Sequence, residues 1–242
     1  MRLVGRSLNA LVLSFVLVNF HHNAFAKSSH QSEKTAATSG QAHSEGSTIA
    51  PDVALQWLKN GNIRYTKGYF RKDGASHSDR RNLASAQHPH SVVLSCSDSR
   101  VPPEIVFDQK LGEVFTVRTA GEAVDSSVLA SIEYAVSHLG PQLIVVMGHT
   151  QCGAVKAAIS TINGGDAGSD SLNKLVADIH PRIESLKRSP ASADFSSEGW
   201  ANARGVAEDL SKRSKIIEEK IKEGKLKIIP ALYHLDSGNV EW

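Results

Sequence analysis

Three short apolar runs constrain this chain more than any other feature. They are Ser91–Cys96 (SVVLSC), Val114–Thr119 (VFTVRT) and Leu143–His149 (LIVVMGH). In the first and third, β-branched and apolar residues follow one another without the polar alternation of a strand that has one wet face. Such runs suit a parallel sheet covered on both sides. Between the second and third lies Asp125–Leu139, which reads as a helix. Asp125 caps it, Val128, Leu129, Ile132, Ala135, Val136 and Leu139 form its apolar stripe, and Gly140-Pro141 ends it. Ala201–Glu223 reads as a later helix stopped by Gly224. Lys225–Leu235 reads as a last strand, in which Pro230 demands an edge or a bulge. A short helix over Asp52–Asn60, with Asp52 as N-cap and Gly61 as its stop, precedes the first strand. Strands alternating with helices give an α/β domain: a mostly parallel β-sheet flanked by helices, with a C-terminal edge-strand region, over 51–242.

The segment ahead of that domain has a different character. Arg2 and Arg6 are followed by an apolar stretch, Leu8–Phe20, and then by Ala24-Phe25-Ala26, a small-x-small cleavage pattern. The stretch is shorter than the roughly 20 residues a membrane span takes. Met1–Ala26 is therefore expected to be a cleaved signal peptide, leaving no stable membrane anchor and a periplasmic or secreted protein. Residues 27–50 are small and polar, without an aromatic, and read as a flexible tether. The charges support no electrostatic partner. The chain has 27 Lys and Arg against 25 Asp and Glu, and the leader holds two of the cations and no acid, so the remainder is balanced. A neutral chain has no reason of charge to bind nucleic acid or an anionic membrane.

The chain has two cysteines, Cys96 and Cys152. Cys96 falls at the carboxyl end of one expected strand and His149 at that of another. Cys152 opens the helix that follows. Ligands of open α/β sheets bind at this edge. Two thiolates and an imidazole suit Zn²⁺ and leave a fourth position open, as in catalytic zinc sites. From spacing alone, a zinc site, a disulfide and two inert thiols all remain open. Asp98 and Arg100 follow Cys96 on the same strand-end loop. A carboxylate there can orient or take the proton of a reacting water, and a guanidinium beside it keeps it ionised.

Cys96-x-Asp98-x-Arg100 and His149-x-x-Cys152-Gly153-Ala154 together resemble the two zinc motifs of the β-class carbonic anhydrases. Phe107-Asp108, Gly112-Glu113, Val117-Arg118, Ala120-Gly121, Ser131–Val136 and Ala231-Leu232-Tyr233 extend the likeness, which runs from about Leu55 to Val240. The resemblance implies zinc-dependent reversible hydration of carbon dioxide to bicarbonate and a proton, by attack of zinc-bound hydroxide. It implies one Zn²⁺ per chain on Cys96, His149 and Cys152, and a catalytic pair, Asp98 and Arg100. Substrate-binding roles fall on Gln87, which reaches the pocket across a dimer interface in one subclass, on the aromatic positions Phe115 and Tyr134, and on the backbone of Gly153. A homodimer or dimer-based homo-oligomer follows.

Three positions depart from the family pattern: Thr119 and Glu122 stand where Asn is common, and His234 where Asp is common. Another subtype closes its site at low pH and carries a Trp three residues before the first Cys. Here that residue is Val93, which implies an open site with Asp98 off the metal. His88 and His90 lie just before the first strand and read as surface residues. Three rival functions are a carbon disulfide or carbonyl sulfide hydrolase, a non-catalytic zinc protein or bicarbonate sensor, and a thiol redox protein. The last lacks C-x-x-C.

Overall fold

The computed structural model describes residues 49–187 and 191–242. The expected leader and all but the last two residues of the expected tether lie outside these ranges. Among the described residues, no helix is long and apolar enough to cross a membrane. In chain order the elements are α1 (Pro51–Thr66), α2 (His77–Leu83), β1 (Ser91–Ser95), α3 (Pro103–Val106), β2 (Val114–Arg118), α4 (Ser126–Tyr134) and β3 (Leu143–His149). They continue with α5 (Gly153–Thr161), α6 (Asp170–Ile183), α7 (Ser196–Arg213), α8 (Lys215–Lys222), β4 (Lys227–Tyr233) and β5 (Val240–Glu241). The sheet order is β2-β1-β3-β4-β5, parallel except for the last pair.

Why the apolar runs are continuous is visible in the packing. Val93, Val145 and Met147 enter one core with Ala54 and Leu58 of α1 and with Phe107. Their neighbours Val92, Leu94, Ile144 and Val146 enter the opposite core with Val128 and Ile132 of α4 and Ala203, Val206 and Leu210 of α7. All the residues named here are fully buried except Val128, which is 7% exposed. Each such Val, Leu or Ile contributes about 1.5–3 kcal/mol by leaving water. Asp125 caps α4 as expected: its Oδ1 accepts from the Ser127 and Val128 N–H groups, both at 2.8 Å. The helix then widens into a π-turn over Ala135–Leu139 and ends on left-handed Gly140.

Three local expectations are corrected. Gly61 does not stop α1, which starts at Pro51 and runs on to Thr66 without a side-chain cap from Asp52. Gly61 is a packing glycine instead: a Cβ there would lie 1.7 Å from the Phe107 carbonyl oxygen. The single helix expected over Ala201–Glu223 is two helices, because Ser214 leaves the helical conformation and its side chain accepts the Ile217 N–H to cap α8. His90 is buried rather than on the surface, bonded through Nε2 to Gln109 at 2.9 Å and edge-on to Trp57. Pro230 lies within β4 opposite Val146, where β5, which pairs only with Leu232 and Tyr233, leaves the far side of the strand open.

Candidate active site

Pairing of β1 with β3 matches Ser95 to Met147, so Cys96 leaves β1 at the level where β3 ends in His149. Cys152 then occupies the N-cap position of α5. One donor atom from each of Cys96, His149 and Cys152 lies within 4.8 Å of the others, and all three residues are buried. Both cysteines are free thiols. His149 Nδ1 lies 2.8 Å from the Thr150 carbonyl oxygen, which makes Nδ1 the donor and leaves Nε2 with its lone pair. That Nε2 is buried and has no hydrogen-bond partner. An orphaned imidazole nitrogen between two thiols is what a soft cation would satisfy, so the donor set fits a metal such as zinc.

The backbone prepares Cys96 as a thiolate. Its sulfur accepts the N–H groups of Asp98 and Gly121, each at 3.4 Å. Without a metal, a bond from the Cys152 thiol pulls Cys96 well below the usual thiol range against the cost of burial, helped by the two N–H groups. The same bond, burial and the nearby negative charges hold Cys152 up.

The loop carrying Asp98 is tied down from β2. Thr119 donates to the Ser95 carbonyl and Ser97 to the Thr119 carbonyl, both at 3.1 Å. Arg118 reaches the carbonyls of Cys96 (Nε, 3.0 Å) and Asp98 (Nη2, 2.6 Å). Arg100 holds both Asp98 carboxylate oxygens, and its grip is the main cause that keeps the carboxyl far below the usual range. Asp98 Oδ2 lies 4.0 Å from His149 Nε2, so the charged carboxylate stands beside the donor set. Its side chain is 17% exposed, which leaves it reachable from solvent.

The other expected site residues fall into two groups. Gly153 is exposed at the start of α5, with open space where a side chain would stand. Gln87, Phe115 and Tyr134 do not join the cluster within one chain. Phe115 pairs with Val92, about 13 Å back along the strand from Cys96. Tyr134 lies near it, ring centroids 6.4 Å apart, and is half exposed. Gln87 is exposed ahead of β1, at the opposite edge of the sheet.

Four supporting residues received no role from the sequence: Arg118, Thr150, Glu122 and Asn202. Arg118 follows from its place at the end of the strand beside β1. Glu122 is marked by its departure from the family pattern. Burial, followed by the charge on Cys96, pushes its carboxyl well above the usual range. Nothing local marks Asn202, which comes from α7.

Residues 91–240 match the family described as carbonic anhydrase. The chain is 42% identical over 188 residues to carbonic anhydrase 2 of Mycobacterium tuberculosis, covering 78% of this chain and 90% of that one. It is 40% identical over 191 residues to the carbonic anhydrase of Mycolicibacterium smegmatis, covering 79% and 92%. Its fold is similar to the crystal structure of the β-carbonic anhydrase CafA of Aspergillus fumigatus, with TM-score 0.61 and 26% identity over 78% of this chain and 88% of that one. With both donor motifs inside the matched region and the same architecture around them, the chain belongs to the β-class of the carbonic anhydrase family.

Proposed function

We propose that this carbonic anhydrase is a zinc enzyme for the reversible hydration of carbon dioxide to bicarbonate and a proton. Cys96, His149 and Cys152 hold the metal, and Asp98 and Arg100 form the catalytic pair. One observation carries the reading: three soft donors converge within 4.8 Å beside a carboxylate locked in its charged form. When bound, zinc supplies the Lewis acidity that makes water a nucleophile near neutral pH. His149 directs its Nε2 lone pair inward because Thr150 takes the Nδ1 proton. Asp98, ionised by Arg100, accepts a hydrogen bond from the attacking water and orients it. Arg100 also holds Asp98 back from the metal position. Val93 cannot offer an indole N–H to an anion, so no anion pocket forms there, and Asp98 would stay on Arg100 as the pH falls towards 7. The Gly153 N–H, in the first turn of α5 beside the open space where a side chain would stand, is a donor for substrate oxygen.

Gln87, Phe115 and Tyr134 act from a second copy. Strand β2 is an edge of the sheet, and its residues are half-buried. Isologous pairing of two such edges runs the strands antiparallel and brings the amino end of one near the carboxyl end of the other. Gln87 of the partner subunit then stands near Cys96. The leader sends the mature chain to the periplasm or beyond, with cleavage after Ala26. Mass spectrometry of the native protein tests that, and a retained Met1 overturns it.

The test of function pairs metal analysis with stopped-flow hydration of carbon dioxide. The expected result is about one zinc per chain and activity that tracks zinc content. Full activity in metal-free protein would refute the proposal.

A further inference from the structure

Asn202 is fully buried in α7, yet its amide reaches the loop behind the candidate metal site. Nδ2 donates to the Gly121 carbonyl at 2.8 Å and to Glu122 Oε2 at 3.0 Å. Both hydrogens of the amide are thereby used. The turn it grips is an unusual one: Gly121 (φ +63°) and Glu122 (φ +54°) are consecutive left-handed residues. A non-glycine residue persists there only when its surroundings fix it. The turn is also wedged in place, since a Cβ on Gly121 would come within 2.8 Å of Ala154 Cβ and 2.9 Å of Ile179 Cδ1. What the turn delivers is the Gly121 N–H, 3.4 Å from Cys96 Sγ.

We propose that Asn202 is a positioning residue for the metal centre, holding the Gly121–Glu122 turn so that its N–H rests on the Cys96 sulfur and tempers the donor strength of that sulfur. The inference rests on the zinc reading above. An N–H aimed at a ligating thiolate draws charge from it, so the metal stays more acidic. Without the Asn202 amide, the Glu122 carboxyl has no donor at all, because its Oε1 already lacks a partner. The turn then loses two of the contacts that keep it left-handed.

Cobalt-substituted protein tests this, because the sulfur-to-cobalt charge-transfer band reports electron density on the thiolates. Asn202→Asp keeps the volume and loses the N–H groups; Asn202→Ala removes the amide. Both are expected to shift the band to lower energy and, because a sulfur relieved of its N–H partner is more readily protonated off the metal, to lose zinc to a chelator about 10-fold faster. Leu210→Ala, a cavity in the same helix, should lower thermal stability and leave the band in place. Folded Asn202 variants with the wild-type band and zinc release rate would overturn the proposal. Should neither variant fold, wild-type protein loaded with NMR-active cadmium decides. Scalar coupling between the metal and the Gly121 amide proton is expected, and its absence overturns the proposal. A wild-type cobalt protein with no sulfur-to-cobalt band would sink the zinc reading itself, whereas an unmoved band in the variants sinks only the role of Asn202.

Discussion

Arg100 takes hold of Asp98 at both oxygens: Nε and the backbone N–H each lie 2.9 Å from Oδ1, and Nη2 lies 2.7 Å from Oδ2. The carboxylate is thus fixed in charge and in direction. Asp98→Asn and Arg100→Ala should each lower carbon dioxide hydration by about 10²-fold, the scale of a lost acid–base or orienting group. Zinc content should stay at about one per chain, and stability should change by no more than about 1 kcal/mol, because Arg100 is largely exposed. Stopped-flow assays with metal analysis check this. Loss of zinc in either variant would move the pair from chemistry to metal retention.

Cys96→Ser, Cys152→Ser and His149→Ala should lose both metal and activity. Stripping zinc in air should also inactivate the wild type, because the two buried thiols lie close enough to oxidise together. Thiol titration before and after reductant distinguishes oxidation from simple metal loss. Zinc alone should fail to restore the oxidised protein, and zinc with reductant should succeed.

Because Gln87, Phe115 and Tyr134 lie on the wrong edge to reach their own chain's cluster, activity should depend on association. Light scattering should find dimers or multiples of dimers. Dilution that yields monomers should lower activity per chain. A fully active monomer would contradict the assignment of these three residues.

Asp108 gives the protein an acid limit. Burial alone would raise its pKa, but Arg64 Nε at 2.5 Å, the Arg71 N–H and Lys110 outweigh it and hold the carboxyl below the usual range. A depressed folded-state value means that the unfolded chain takes up the proton first. The stabilisation is therefore complete above about pH 3.9 and fades as the pH falls further towards the folded value. Asp108→Asn should cost about 3 kcal/mol at neutral pH and flatten the fall of melting temperature in acid. Thermal melts as a function of pH read both effects.

Gly61→Ala should be costly although Ala favours helices. The added methyl would meet backbone, the Phe107 carbonyl at 1.7 Å, which has no rotamer by which to move away. A loss of about 3 kcal/mol in urea unfolding is expected. A neutral or stabilising result would show that α1 can shift away from α3.

The elements that the sequence discloses are those whose determinants lie close together. The runs in β1 and β3 carry their own burial pattern, and Asp125 caps a helix a few residues away. The donor motifs sit beside strand ends for the same reason. What stayed hidden depends on distant partners. Gly61 reads as a stop until Phe107 is packed against it. Ser214 divides a helix because its side chain suits a cap better than a helix interior. His90 reads as a surface residue because Gln109 and Trp57 reach it from elsewhere. Asn202 is an ordinary polar residue in α7 until the fold carries it to Gly121.

The donors on β1 and β3 are separated in the chain by β2 and α4, and they meet only when β1 pairs with β3. The unfolded polypeptide therefore offers a metal only the His149–Cys152 pair, which is a weak chelate. Metal capture has to follow formation of the sheet. Under the export proposed above, a chain that crossed the membrane before folding would take its metal at the destination. The supply beyond the cytoplasm, rather than the cytoplasmic pool, would then set which ion it carries.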